Sequence, residues 1–231
     1  MLGWPMVEIG VQGNRLELQH YPPDATVAAL CEAVEGARRA PGLKTVGCHV
    51  CGECCHDPVP LLGYDIERLA AEAGVPPASF AADFVVLPER PDLEQRRRTI
   101  ADMARQHGLT ASQATMLYEH NNGEPPLLAK KGAGGPTAGP CVFLVDLLCS
   151  IYAAWPFICQ LYVCNMGPQL EAVFDTLVRQ GVWHAYHLLG WVPAADLAHN
   201  PCLHHRGYDD LPLAALETDL RELQEQLFFY F

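Results

Sequence analysis

Apolar and polar positions alternate from residue 6 to 19, with Val7, Ile9 and Val11 before Gly13-Asn14 and Leu16 and Leu18 after it. A period of two broken by a Gly-Asn pair predicts a β-hairpin. Tyr21-Pro22-Pro23 stops the second strand, and Asp24 is the expected cap of a helix of about fifteen residues. On that helix Val27, Leu30, Cys31 and Val34 fall on one stripe, and Pro41-Gly42 closes it. Cys31, a lone thiol on an apolar stripe, reads as a small core residue.

Helical spacing resumes after residue 60. Tyr64-Asp65 opens a helix with Ile66, Leu69 and Ala70 inward, and Gly74 followed by Val75-Pro76-Pro77 ends it. Ser79 to Val86 predicts a short helix carrying Phe80 and Phe84. Residues 91–120 predict two more, with Leu93, Ile100, Met103 and Ala104 inward on the first. Thr110 and Gln113 form a capping box for the second, which ends near His120. The Gly- and Pro-rich stretch Asn121 to Pro140, with Lys130-Lys131, reads as an exposed, mobile connector or a lid near a site. Val142 to Leu148 predicts a strand, and Pro156 suits the first turn of a helix carrying Cys159 toward Cys164. From Gln169 to Leu189 the residues Leu170, Val173, Phe174, Leu177 and Val178 mark a long amphipathic helix. His184 and His187 share one face near its end, in a setting (Trp183, Tyr186) that favours a structural role over a metal site. Leucines at 213, 216, 220, 223 and 227 predict a last helix opened by Asp210-Leu211-Pro212. Phe228 to Phe231 then form an aromatic tail suited to docking or to a partner.

Composition narrows the possibilities. The chain has 231 residues, half of them hydrophobic, which is enough for a real core. Fifteen basic residues against 27 acidic ones leave a net charge of −12, which argues against nucleic acid or an anionic membrane as partner. The run Arg96-Arg97-Arg98 reads as a solvated helix face. A weak helix-turn-helix likeness at 99–117 lacks a basic recognition face, so an ordinary helical hairpin is expected. The segment Cys141 to Met166 has the length of a membrane span, but Asp146, Gln160 and Pro156 point instead to a buried, cysteine-lined core segment. The N-terminus shows no basic n-region and no apolar h-region, so a cytoplasmic location with reduced thiols is expected.

Reduced thiols change the meaning of ten cysteines. Cys48, Cys51, Cys54 and Cys55 form a C-x2-C-x2-C-C run, and Cys141, Cys149, Cys159 and Cys164 form a second group. Thiolates at two-residue spacing turn toward one soft or borderline metal. Neighbouring Cys54 and Cys55 point in different directions, so three thiols of the run converge and one is left over. In a helical turn the three are Cys48, Cys51 and Cys55; in a loop they are Cys48, Cys51 and Cys54. The fourth ligand then comes from the second group. Three close thiolates and one remote one is an iron-sulfur layout. Structural zinc prefers paired C-x2-C knuckles, which the second group does not supply. An iron-sulfur cluster is therefore favoured over a zinc or iron ion, with all eight cysteines as candidate ligands. His49 and His56 flank the run, and Cys202, His204 and His205 read as lying apart from it.

At these residues the chain resembles the YkgJ-type cysteine-cluster family, also called the CxxCxxCC family of zinc- or iron-chelating proteins. The resemblance runs from about residue 45 to 165, with an insert near 90–138. It rests on Cys48-His49-Val50-Cys51-Gly52-Glu53-Cys54-Cys55, on Tyr64-Asp65-Ile66-Glu67-Arg68-Leu69-Ala70 with Gly74 and Phe80, and on Cys141-Val142-Phe143-Leu144 and Cys149-Ser150-Ile151-Tyr152. Where the family usually reads RP…CR, this chain has Trp155-Pro156 and Cys159-Gln160. The resemblance implies metal chelation in a bacterial cytoplasm. One branch, the flagellin lysine methylases, implies an iron-sulfur-dependent modifying role, but no methyl-donor or substrate motif is recognisable here.

The expected fold is mainly α, of α+β type: an irregular cysteine-rich metal core surrounded by helices, with a small N-terminal β-hairpin. Residues 1–44 form the hairpin-helix element, 45–166 the metal-binding unit, and 167–231 the C-terminal helices packed on it. The expected role is metal binding, either redox or structural. A metal-dependent enzyme modifying a protein or peptide and a metal-trafficking protein are the alternatives. A pocket lined by His49, Glu53, His56, Asp57 or Tyr152 beside an open metal position would favour the enzyme; a closed four-thiolate site would favour the others. The sequence assigns no catalytic residue, and the partner is an unidentified protein or peptide.

Overall fold

The hairpin strands β1 (Glu8–Gln12) and β2 (Arg15–His20) pair antiparallel, with Ile9 opposite Leu18 and Val11 opposite Leu16. In this computed structural model the described residues are 6–13, 15–38, 53–131, 135, 137–146, 148–161 and 166–216, with Glu53, Cys54 and Tyr152 described by backbone alone. Leu16 and Leu18 are buried, because the second strand lies on the core while the first faces outward. Gly13 turns the chain at a φ of 63°, a conformation glycine adopts without strain.

Helix α1 (Val27–Arg38) buries Val27, Leu30, Cys31 and Val34, the stripe its spacing predicts. Its cap is Thr26 rather than Asp24: the Thr26 hydroxyl accepts from Ala29 N–H at 3.3 Å. Two residues separate Asp24 from the first turn, so its carboxylate is out of register. Helices α2 (Gly63–Ala73) and α3 (Pro77–Phe84) follow, with Gly74 closing α2 in the left-handed region at a φ of 68°. Val85–Val86 leave α3 as strand β3 rather than continuing the predicted helix, because β-branched residues there find a partner strand, β4 (Leu127–Leu128).

Helices α4 (Leu93–His107) and α5 (Ala111–Asn121) form an antiparallel hairpin, and the Thr110–Gln113 capping box is present. The inward face of α4 differs from its pattern. Leu93, Ile100, Met103 and Ala104 are only half-buried, while Arg96 is 2% exposed. The solvated-face reading therefore fails for Arg96. Its guanidinium pairs with the equally buried Glu119 of α5, donates to the Asp196 carbonyl at 3.2 Å, and lies 5.0 Å from the Trp183 ring. His199 holds the other Glu119 oxygen at 2.8 Å. Arg97 remains at the surface, paired with Asp196.

Val142 to Leu148 is not one strand. It holds β5 (Leu144–Val145) and the start of β6 (Leu148–Cys149), a tight hairpin in which Asp146 takes a φ of 48°. A short helix α6 (Phe157–Leu161) starts after Pro156, and the long helix α7 (Pro168–Leu188) packs along α2. Their approach is close: a Cβ on Gly63 would sit 2.3 Å from His184 Nδ1, and one on Gly181 would sit 2.8 Å from Leu62. Only 213–216 of the predicted last helix is described, as a 3-10 turn; Leu220, Leu223, Leu227 and the aromatic tail lie outside the described residues.

The architecture is mainly α, with small antiparallel strand pairs and an N-terminal β-hairpin. Buried side chains fall into two clusters. One joins the hairpin, α1, Leu62, Tyr64, α6, α7 and residues 192–216; the other joins Val59, Leu61, Ile66, Leu69, Ala70, Phe80, Leu128, Cys141, Ala154 and Ala185. Among the described residues no helix is long and apolar enough to cross a membrane.

Candidate metal centre

The second cluster is where Cys55 meets Cys141 and Cys159. Residues 53–56 form a 3-10 turn that carries Cys54 and Cys55 out of the cysteine run. Cys141 N–H donates to the Cys55 carbonyl at 2.7 Å, so the two cysteine groups, distant in sequence, share a main-chain hydrogen bond. Cys141 is buried, Cys55 and Cys159 are half-buried, and all three pack on the same apolar cluster as Ile151 and Ala154. Cys149 lies opposite Leu144 on the β5–β6 hairpin, close enough for its charge to act on the Cys141 thiol. Cys48, Cys51, Cys164 and His49 lie outside the described residues, as does the side chain of Cys54. Among the described residues no three His, Cys, Asp or Glu side chains come together as a metal-ligand group. The structure therefore brings together Cys55, Cys141, Cys149 and Cys159 at the level of neighbouring segments.

The convergence is built by the stretch that sequence reasoning takes for an exposed connector. Residues 126–131 run through the middle of a hydrogen-bonded seam. Leu61 N–H donates to the Pro126 carbonyl at 2.8 Å, Leu128 to Val59 at 2.9 Å, Ala129 to Phe84 at 2.9 Å, and Val142 to Ala129 at 3.1 Å. One edge of this seam is the exit of the first cysteine run, and the other is the entry to the second group. Leu128 is buried, and Lys130 is 7% exposed. The Lys130 ammonium donates to the Cys55 carbonyl at 2.9 Å and to the Asp57 carbonyl. A buried ammonium needs such partners, since leaving it unpaired costs several kcal/mol. It also acts on the Cys141 thiol. Burial pushes the Cys141 thiol up, while the Phe143 N–H and the Lys130 charge pull it back toward the thiolate. The aromatic stack of Phe80, Phe84 and Phe143, with centroids 5.2 to 6.5 Å apart, fixes the same segment to α3.

Asp65 organises the other side. It is fully buried at the first turn of α2 and accepts from Leu62 N–H at 3.0 Å, Phe157 N–H at 2.8 Å and Tyr208 O–H at 2.9 Å. Burial pushes its carboxyl up to about 6, against the opposing pull of these donors. The Phe157 bond anchors the N-terminus of α6, the helix that carries Cys159. Next to it, Tyr64 O–H donates to the Cys202 carbonyl at 2.7 Å and to the His205 carbonyl at 3.0 Å. The sequence offered only a faint signal for Asp65, an acid in the first turn of an otherwise apolar helix face. It offered less for Lys130, one of two lysines in a Gly- and Pro-rich stretch.

The remaining candidates sit elsewhere. Cys31 and Cys202 are core residues whose thiols burial raises to about 12. His184 is buried edge-on to Tyr64 at 4.7 Å, and burial lowers it to about 4. His187 Nδ1 contacts the Val192 carbonyl at 3.0 Å. His56 and Asp57 are exposed. His204 Nε2 contacts the Ala198 carbonyl at 2.8 Å.

A family model matches residues 47–176, more than half of the chain; its description is CxxCxxCC, putative zinc- or iron-chelating domain. The chain belongs to the CxxCxxCC family. The match begins one residue before Cys48 and takes in the seam, Asp65 with its Leu62 and Phe157 donors, and α6, while Tyr208 lies beyond it. No curated protein and no solved structure matches the chain. The donor set suits the metals of the family's description. Sulfur ligands take zinc, iron and iron-sulfur clusters, and a buried ammonium beside the thiols offsets the negative charge they acquire on binding.

Proposed function

We propose that this CxxCxxCC protein holds an iron-sulfur cluster, with three thiols of the run Cys48–Cys55 and Cys141 as ligands. The observation that carries the reading is the hydrogen bond from Cys141 N–H to the Cys55 carbonyl, which sets a remote cysteine against the end of the run. Three clustered thiolates plus one distant thiolate is the ligand pattern of such clusters. Cys149 and Cys159, on neighbouring segments, are then partners of the cluster's sulfurs or ligands of a second centre. Hydrogen bonding and burial around the sulfurs set a cluster's potential, and the surroundings here are apolar on one side and cationic on the other.

Protein purified without oxygen is the test, by iron, zinc and acid-labile sulfide content with a visible spectrum. Iron and sulfide in near-equal amounts, lost in Cys141→Ser and kept in Cys31→Ser, is the expected result. Colourless protein with stoichiometric zinc would replace the cluster with a structural zinc site. Full metal content in Cys141→Ser would remove Cys141 from the ligand set.

A further inference from the structure

A concavity lies between α1, α2, residues 153–160 and the loop 206–209. It encloses about 450 Å³, within the usual range for small-molecule sites. Its walls carry charge of both signs. Glu32 and Glu35 come from α1, Arg68 from α2, and Arg206 and Asp209 from the loop, with Trp155 and Tyr208 supplying apolar surface.

Glu35 pairs with Arg38 at 3.6 Å, and the other four charges are not spent on one another. Among the described residues Arg68 has no hydrogen-bond or ion-pair partner; its guanidinium lies over the Tyr208 ring at 5.8 Å, half-buried. The Arg206 side chain has none either, and only its main-chain N–H is engaged, by Asp210 at 3.1 Å. The carboxylates of Glu32 and Asp209 are likewise without partners among the described residues. This contrasts with α4, where Arg96, Arg97, Arg98 and Arg105 each hold a carboxylate. A half-buried guanidinium resting on a tyrosine ring, with its donor edge uncommitted, is preorganised for a planar carboxylate.

We infer that this cavity binds a small zwitterion of the α-amino-acid class, its carboxylate on Arg68 and Arg206 and its ammonium on the acidic wall. With Glu35 held by Arg38, Glu32 and Asp209 stand against Arg68 and Arg206, so a simple anion would meet as much repulsion as attraction. A simple cation would leave both guanidiniums without a partner. A ligand with both charges satisfies both walls. Trp155 and Gln160, which stand where the family usually has arginines, belong to this wall. The Gln160 amide donates to the Trp155 carbonyl at 2.6 Å, closing that side with neutral groups. Because Gln160 follows Cys159, the cavity shares a helix with the metal centre, but the inference does not depend on which metal is bound.

The test is calorimetric titration of the full, metal-containing chain with each common L-amino acid at millimolar concentration. Saturable binding of at least one is expected. Its N-acetyl and its amide derivatives should each bind roughly tenfold more weakly or worse, since each loses one charge-assisted contact. Arg68→Met should weaken binding to a similar degree while metal content and thermal midpoint hold. Should Arg68→Met fold poorly, the exposed Arg206→Gln gives the same reading. Absence of binding by any amino acid overturns the inference. So does equal binding of inorganic phosphate or of the N-acetyl form, which would make the site a plain anion site. Wild-type affinity in both arginine variants overturns it as well. Metal content, measured on the same samples, reports separately on the metal centre.

Discussion

Replacing Lys130 by methionine removes a buried ammonium while keeping an unbranched apolar side chain one atom shorter. Two contacts are lost, to the carbonyls of Cys55 and Asp57. A hydrogen bond from a charged donor contributes about 1.5–3 kcal/mol, so the pair is worth at most about 6 kcal/mol. Two corrections reduce that figure. The wild type carries the cost of desolvating the ammonium, several kcal/mol. Asp57 is exposed, so water can satisfy its carbonyl in the variant. A net loss of about 2 kcal/mol is the reasoned outcome. The lost bonds hold the turn that ends the cysteine run against the seam, so the loss should appear in metal affinity as well as in folding. Two kcal/mol corresponds to roughly 30-fold weaker binding. Chelator competition on wild type, Lys130→Met and Lys131→Met measures it, with Lys131→Met as the exposed neighbour control. If Lys130→Met competes within a factor of two of wild type (about 0.4 kcal/mol) and melts at the same temperature, the ammonium does not position the cysteine run.

Arg96→Met should cost about 3–5 kcal/mol in a urea titration, because Glu119 is left buried with only His199 to hold it. Gly63→Ala should also destabilise, since its methyl would lie 2.3 Å from His184 Nδ1; restored stability in Gly63→Ala/His184→Ala would confirm that contact as the cause. His184 and Asp65 give opposing pH dependences. His184 is lowered from 6.5 to about 4, so the unfolded chain binds the extra proton and stability falls as pH drops from 6.5 toward 4. Asp65 is raised from 3.8 to about 6, so the folded chain binds the proton first and stability rises as pH drops from 6 toward 3.8. Each effect is about 3 kcal/mol at full extent. His184→Phe should therefore gain stability relative to wild type on acidification from pH 6.5 to 4, and a urea midpoint that tracks wild type across that window would refute the assignment.

The hairpin, the stripe on α1, the capping box at Thr110 and the long helix α7 were legible because each rests on local periodicity or local capping chemistry. Arg96 was not. A basic run on a helix reads as solvent-facing unless its partner is known, and Glu119 lies on the next helix. Lys130 failed for the same reason. Its partners are main-chain carbonyls far away in the sequence, and carbonyls leave no compositional trace. The predicted helix through Val86 failed because strand pairing is decided by a segment more than forty residues downstream. The cysteine run was legible as a metal motif from spacing alone; its neighbour Cys141 could be named only as one of four candidates.

The seam gives a physical reason why the stretch between the two cysteine groups is structured as it is. A cysteine site assembled from distant parts of a chain must offset the entropy of closing the intervening loop. Here helices α2, α3, α4 and α5 occupy more than half of that interval, and α4 and α5 fold as their own capped hairpin, anchored by the buried Arg96–Glu119 pair. The short segment 126–131 is itself hydrogen-bonded to both cysteine segments. The effective loop between the groups is thereby reduced before any metal arrives. Asp65 does the same for α6, tying its first N–H to α2. On this argument the ordering of the half-site around Cys55 and Cys141 belongs to the polypeptide rather than to the metal. Metal-free protein should then keep slow hydrogen exchange at the Cys141 and Leu128 amides, the two seam bonds at 2.7 and 2.9 Å. Fast exchange at both amides in metal-free protein, with slow exchange restored on reconstitution, would show that the metal organises the seam.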